Sequence, residues 1–146
     1  MKKIILLTSC LLLSCFILAG CSNNSEPFEE KNYTPETQIR EIHLDVQDRE
    51  IEVFLSEDEQ LHIRYYENSE EYYNISISDE NRLTMTSAAD KSWTDYIGGK
   101  PSAENRKISL QIPNALLDTL VLSTTNEGIS LPALAVTGSI NLSSNG

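Results

Sequence analysis

Beyond position 21 the sequence has no cysteine; its three, Cys10, Cys15 and Cys21, all fall in the first 21 residues. That excludes a disulfide framework, a thiol nucleophile and a cysteine-built zinc site from everything downstream. Histidine is nearly as scarce, with His43 and His62 the only two. Each sits on the polar phase of a strand-like stretch, far from the other, so they read as solvated strand-face residues and no metal or cofactor is expected. Glycine is thin, at six residues. Gly98-Gly99-Lys100-Pro101 is no phosphate loop, because Thr94 stands where the first glycine is needed and Pro101 where Ser or Thr should follow the lysine. Neither a Gly-x-Ser-x-Gly elbow nor a His-Glu-x-x-His pair occurs. The acidic turn from Ser56 to Glu59 lacks the ligand spacing and the glycine of a calcium loop. Bases are few against 22 acids, and without a basic patch the chain has no footing on nucleic acid.

The one long apolar run is Ile4 to Ile17, preceded by Lys2 and Lys3. At about 14 residues it suits a signal-peptide core and falls short of the ~20 a spanning helix needs. Leu18-Ala19-Gly20-Cys21 follows, and it resembles the lipobox of bacterial lipoproteins. Small residues fit a narrow peptidase site, and the Cys21 thiol takes a diacylglyceryl group as a thioether. The resemblance implies a signal peptide over 1–20, lipid attachment at Cys21 (palmitate-type chains) and a place on the extracytoplasmic face of the cell membrane. Two acyl chains anchor stably where one is marginal. Removal of Lys2 and Lys3 leaves nine bases against 22 acids, a formal charge of −13. Membrane contact is therefore expected through the lipid alone, since anionic lipid repels such a surface.

Residues 21–37 are polar and acidic and read as the lipidated cysteine with a disordered tether. From residue 38 the pattern turns to period two. Ile42, Leu44 and Val46 alternate with polar residues, then Ile51, Val53 and Leu55, then Leu61, Ile63 and Tyr65. Tyr73, Ile75 and Ile77 lead through Asp79-Glu80-Asn81 to Leu83 and Met85. No helical period intervenes, so short strands joined by tight turns are expected. Residues 87–105 break the rhythm, and Ile108, Leu110 and Ile112 restore it until Pro113.

Leu120-Val121-Leu122-Ser123-Thr124 recurs as Ile140-Asn141-Leu142-Ser143-Ser144, 20 residues on. Each copy runs into an Asn/Gly corner, Asn126-Glu127-Gly128 and Asn145-Gly146, where positive φ is tolerated. Such an echo points to a parallel β-solenoid. The stretch Ile108-Ser109-Leu110-Gln111-Ile112-Pro113, with Leu117, Leu120, Leu122 and Ser123-Thr124-Thr125-Asn126-Glu127-Gly128-Ile129, resembles a bacterial "putative adhesin" family, domain of unknown function 4097. The likeness covers roughly residues 39–146. It implies an all-β fold, a right-handed parallel β-solenoid preceded by short alternating strands, and further coils after Gly146. On that reading the chain lacks its last coils, and residues 22–146 made alone are expected to be marginal or to self-associate.

Aromatic pairs supply the candidate contacts. In Tyr65-Tyr66 and Tyr72-Tyr73 one ring must face inward and the other outward, which leaves Tyr66 and Tyr72, with Trp93 and Tyr96 from the irregular stretch, as candidate ligand-contact aromatics. The expected function is a non-enzymatic, lipid-anchored surface protein with a binding or structural domain, its partner a cell-wall glycan or an envelope protein. Two alternatives are an envelope-stress accessory or sensor lipoprotein, and a polysaccharide-acting enzyme on a solenoid scaffold. The enzyme needs clustered acids on the repeats, where residues 116–146 carry only Asp118 and Glu127.

Overall fold

The computed structural model describes residues 26–89, 100–114 and 117–146. The described elements are almost wholly strands: β1 (Glu29–Tyr33), β2 (Glu41–Asp45), β3 (Glu50–Leu55), β4 (His62–Glu67), β5 (Glu71–Ile77), β6 (Arg82–Ala89), β7 (Lys107–Ile112), β8 (Thr119–Thr125), β9 (Ile129–Ser130) and β10 (Ser139–Asn145), with a 3₁₀ turn at Glu104–Arg106. The alternation dictates this, since period-two apolar residues give each strand one face to bury. Two five-stranded sheets result: sheet A in the order β1-β4-β7-β3-β9, sheet B in the order β10-β8-β2-β6-β5.

In sheet B, β2 lies parallel between β6 and β8, and β10 runs parallel beyond β8. Ile42 pairs with Leu83 and Leu120, and Leu120 with Ile140; Leu44 pairs with Met85 and Leu122, and Leu122 with Leu142. The 20-residue echo is thus an in-register strand pair. Sheet A stacks Ile108, Ile51 and Ile129 in the same way. These ladders face each other and form one core, each fully buried aliphatic side chain contributing ~1.5–3 kcal/mol. Along the ladder burial fades. Leu120 and Leu122 are fully buried, whereas Ile140 is 39% and Leu142 46% exposed.

The chain passes from one sheet to the other at stacked corners. Asp48 (φ 52°) and Asn126 (φ 56°) take the left-handed conformation that Asn and Asp tolerate. Asn126 Nδ2 donates to Asp48 Oδ1 at 2.8 Å, and Asn126 N–H to the Asn145 carbonyl at 2.8 Å. At the opposite end of sheet B, Arg40 N–H donates to the Asn81 carbonyl, Asp118 N–H to that of Arg40, and Gly138 N–H to that of Asp118. A Cβ on Gly138 would lie 2.5 Å from the Asp118 oxygen, so this corner closes only around a glycine.

Two expectations need correction. The sheets are mixed: β1, β4 and β5 pair antiparallel with their neighbours, and the described strands do not close into a solenoid. The β5–β6 hairpin, turned at Asn81 (φ 60°), reverses the chain where a coil would carry it onward. Nor is all of 21–37 without regular structure: Glu29–Tyr33 is strand β1, paired with β4 from Glu29↔Glu67 to Tyr33↔Ile63. Tyr33 packs against the core, and that contact makes a strand of a polar segment.

Candidate functional site

The two sheets each turn one face to solvent, and the face of sheet A gathers the chemistry. Strand β4 decides it. Ile63 and Tyr65 point into the core, so His62, Arg64 and Tyr66 point outward. Neighbouring strands add Glu30 and Asn32 from β1, Lys107, Ser109 and Gln111 from β7, and Glu52 and Phe54 from β3. Register sets the rows: Asn32, Arg64, Ser109 and Glu52 across one, His62, Gln111 and Phe54 across the next. Two shallow hollows of about 360 and 400 Å³ share Arg64 and Ser109 as lining; Tyr66 borders the first and His62 the second. Ser109 forms a buried floor, and Phe54 is 47% exposed.

Hydrogen bonds fix several of these groups. The Tyr66 hydroxyl donates to Glu30 Oε2 at 2.8 Å, which holds the phenol upright and raises its pKa, as the proton is kept by the carboxylate that accepts it. Lys107 Nζ donates to Glu52 at 3.0 Å and lies 3.7 Å from Glu50; both acids raise its pKa. His62 bridges two segments. Its Nδ1 is 2.8 Å from Thr34 Oγ1, and its Nε2 is 2.9 Å from Asp58. One neutral tautomer satisfies both, with Nε2–H donating to Asp58 and Nδ1 accepting from the threonine hydroxyl.

Hydroxyl, imidazole and carboxylate in that order resemble a hydrolytic triad. Here, however, the Asp58 side chain is 55% exposed and also accepts from Ser56 Oγ and the Gln60 N–H. Those bonds, Ser56 first and His62 second, lower its pKa to about 2. The arrangement is a clasp holding the β1–β2 link to the β3–β4 turn. Beside it a hollow of about 680 Å³ runs between residues 34–39 and 59–61. His62 is therefore not the plain solvated histidine the sequence suggests. His43 differs as well: its Nε2 is shielded from solvent, 3.6 Å from Glu41.

The family model described as Toastrack DUF4097 matches residues 39–146. The chain belongs to that family. No curated protein matches it. Among solved structures it is similar to a "putative cell adhesion protein" from Clostridium sporogenes, at 12% identity and a TM-score of 0.46, over 81% of this chain and 68% of that one. It is similar also to a "putative adhesin" from Bacteroides fragilis, at 16% identity and a TM-score of 0.37, over 81% of this chain and 54% of the other.

Within the Toastrack domain the aromatic candidates part company. Tyr65 and Tyr73 turn inward and meet edge to face, their ring centres 5.2 Å apart. Tyr66 faces out from sheet A, but Tyr72 lies on edge strand β5 of sheet B, 38% exposed. The fold does not bring those two together. Trp93, Tyr96 and Cys21 lie outside the described residues. Sequence reasoning missed Phe54 and Arg64 on the Tyr66 face. Phe54 carried a signal, being the aromatic on the polar phase between Val53 and Leu55. Among the described residues no group of three or more His, Cys, Asp or Glu converges as a metal site, and no helix is long and apolar enough to cross a membrane.

Behind the face, Arg49 is buried at the corner between β2 and β3. Its Nε donates to the Tyr73 hydroxyl at 2.6 Å and its Nη2 to Glu71. Burial pulls its pKa down, but the Tyr73 oxygen and Glu71 outweigh it, and the net direction is up. This buried charge is neutralised locally, so it serves the packing of the sheets and offers nothing to a ligand.

Proposed function

We propose that this Toastrack protein is a lipid-anchored, non-catalytic envelope protein, whose sheet A outer face contacts a glycan of the wall or cell surface. The observation that carries the reading is the face itself. An open, strand-built surface presents an aromatic ring (Tyr66) locked by Glu30 beside one hollow, and Asn32, His62 and Gln111 as hydrogen-bonding groups lining the next. Aromatic rings stack on the apolar faces of sugars while planar polar side chains meet their hydroxyls. Lipid attachment is supported by Leu18-Ala19-Gly20-Cys21, read with the charged and apolar segments before it.

The test uses the full-length protein and purified insoluble wall polymer. Wild type should co-sediment with it and leave it chemically intact, and Tyr66→Ala should cut the bound fraction several-fold. In cells, Cys21→Ala should abolish incorporation of labelled fatty acid. Equal sedimentation of Tyr66→Ala, or release of reducing ends by the wild type, would overturn the binding reading. Fatty-acid labelling of the Cys21→Ala protein would overturn the anchor.

A further inference from the structure

Arg64 stands apart from every other described lysine and arginine. The other seven are each ion-paired with a carboxylate, from Arg49 against Glu71 to Lys107 against Glu52. The Arg64 side chain has no ion pair and no hydrogen bond among the described residues, in a chain where acids outnumber bases two to one. The register explains it. Its cross-strand neighbours are Asn32 and Ser109, both uncharged. Of the acids that share its hollows, Glu52 is held by Lys107 at 3.0 Å and Glu30 by the Tyr66 hydroxyl at 2.8 Å, and Glu104, on the rim of the first, makes no ion pair with it. The guanidinium is exposed between the two hollows and lines both.

A guanidinium offers a planar fork of N–H donors that matches a carboxylate in bidentate geometry. Flanking it are Tyr66 on its own strand and polar Asn32 and His62. We propose that Arg64 is the specificity-determining residue of this face, taking the carboxylate of an acidic sugar within a mostly neutral glycan. The proposal rests on the glycan reading above and narrows it. Sparse charge on the ligand follows from the protein's own. At −13 after signal removal, the surface repels a dense polyanion, whereas a single carboxylate between neutral sugars meets one open cation.

The experiment titrates full-length protein in detergent micelles, by ligand-observed NMR, against three probes: hyaluronan hexasaccharide, which alternates a uronate with a neutral sugar, its carboxyl methyl ester, and a glycerol-phosphate oligomer. At low salt the acid should bind about tenfold or more tightly than the ester, as a charge-assisted hydrogen-bonded pair would give. Arg64→Met should erase that preference, so that acid and ester bind alike, and Arg64→Lys should restore it only in part. Tyr66→Ala should weaken acid and ester by the same factor. Equal binding of acid and ester, or a preference that survives Arg64→Met, overturns the role of Arg64 and leaves the glycan face standing. Tighter binding of the phosphate oligomer also overturns it, in favour of a phosphate polymer. Absence of binding by all three probes, with Tyr66→Ala still lowering wall-polymer sedimentation, refutes the acidic-sugar assignment alone. Loss of both removes the face reading with it.

Discussion

The clasp at Asp58 is an exposed interaction whose pH dependence can be read directly. Asp58 holds Ser56, Gln60 and His62, and its carboxyl is lowered to about 2 from an ordinary 3.8. A carboxyl depressed on folding contributes stability that is complete above the unfolded value, near 3.9, and is lost as pH falls through the folded one. The window is therefore between roughly pH 4 and pH 2. Asp58→Asn should reduce the fall in melting temperature across that window, and carbon-detected NMR of wild type should place the Asp58 midpoint near 2. A midpoint at the ordinary value would mean that the clasp is open in solution. Arg49 makes the opposite case: its side chain is 6% exposed against Glu71, and its pKa is moved up, further from the working range.

Among the elements, β8 and β10 carry the same apolar pattern at different depth. Leu122 is fully buried between Leu44 and Leu142, while Leu142 is 46% exposed at the end of the ladder. Leu122→Ala should cost about 2–5 kcal/mol by opening a cavity. Leu142→Ala should cost well under half as much, since little of its surface leaves water. Urea titrations of the two variants give the ratio, and similar losses would show that the ladder's end is covered. The pairing of these two strands is legible in the amino-acid sequence. Leu120–Thr124 and Ile140–Ser144 announce a parallel pair because parallel in-register strands need matching inward residues. Strand β1 is not legible there. Its one core contact is Tyr33, and an acidic segment with a single anchoring ring looks the same whether paired or free. Nor is Arg64. The outward direction of Tyr66 follows from alternation along β4, but whether a cation is paired depends on where 22 acids fall in space, and the neighbours that leave it free come from β1 and β7.

At the scale of the whole molecule, the strands made early occupy the middle. β2 is flanked by β6 and β8, and β3 by β7 and β9. The central pairings join residues about 40 to 78 apart in sequence, as in Ile42↔Leu83 and Glu41↔Thr119. Loop closure must come before these contacts stabilise anything, which places folding in the slow range, milliseconds to seconds. A chain ended after residue 106 lacks β7 to β10, which leaves β2 with one open side and β3 with neither of its partners. It should show no cooperative melt by circular dichroism, whereas the full chain should refold from urea in one phase within seconds. A folded 1–106 fragment would mean that the β4–β6 region can nucleate alone.

Strand β1 sets a length as well as a pairing. Glu26 is already fastened to the domain: Asn68 Nδ2 donates to its carbonyl and the Ser69 N–H to its carboxylate, both at 3.0 Å. From Cys21 to Glu26 the backbone spans at most about 17 Å, against about 55 Å for a leash running to residue 37. A protein moored at Cys21 would sweep a volume roughly thirtyfold smaller than that longer leash allows. The corner at Asn68 would ride close over the lipid headgroups, with the Tyr66 end of β4 lower than the His62 end. Such a molecule does not fish at a distance. Moored so, it would sample a thin layer directly above the bilayer, and any polymer it held would be one that passes through that layer.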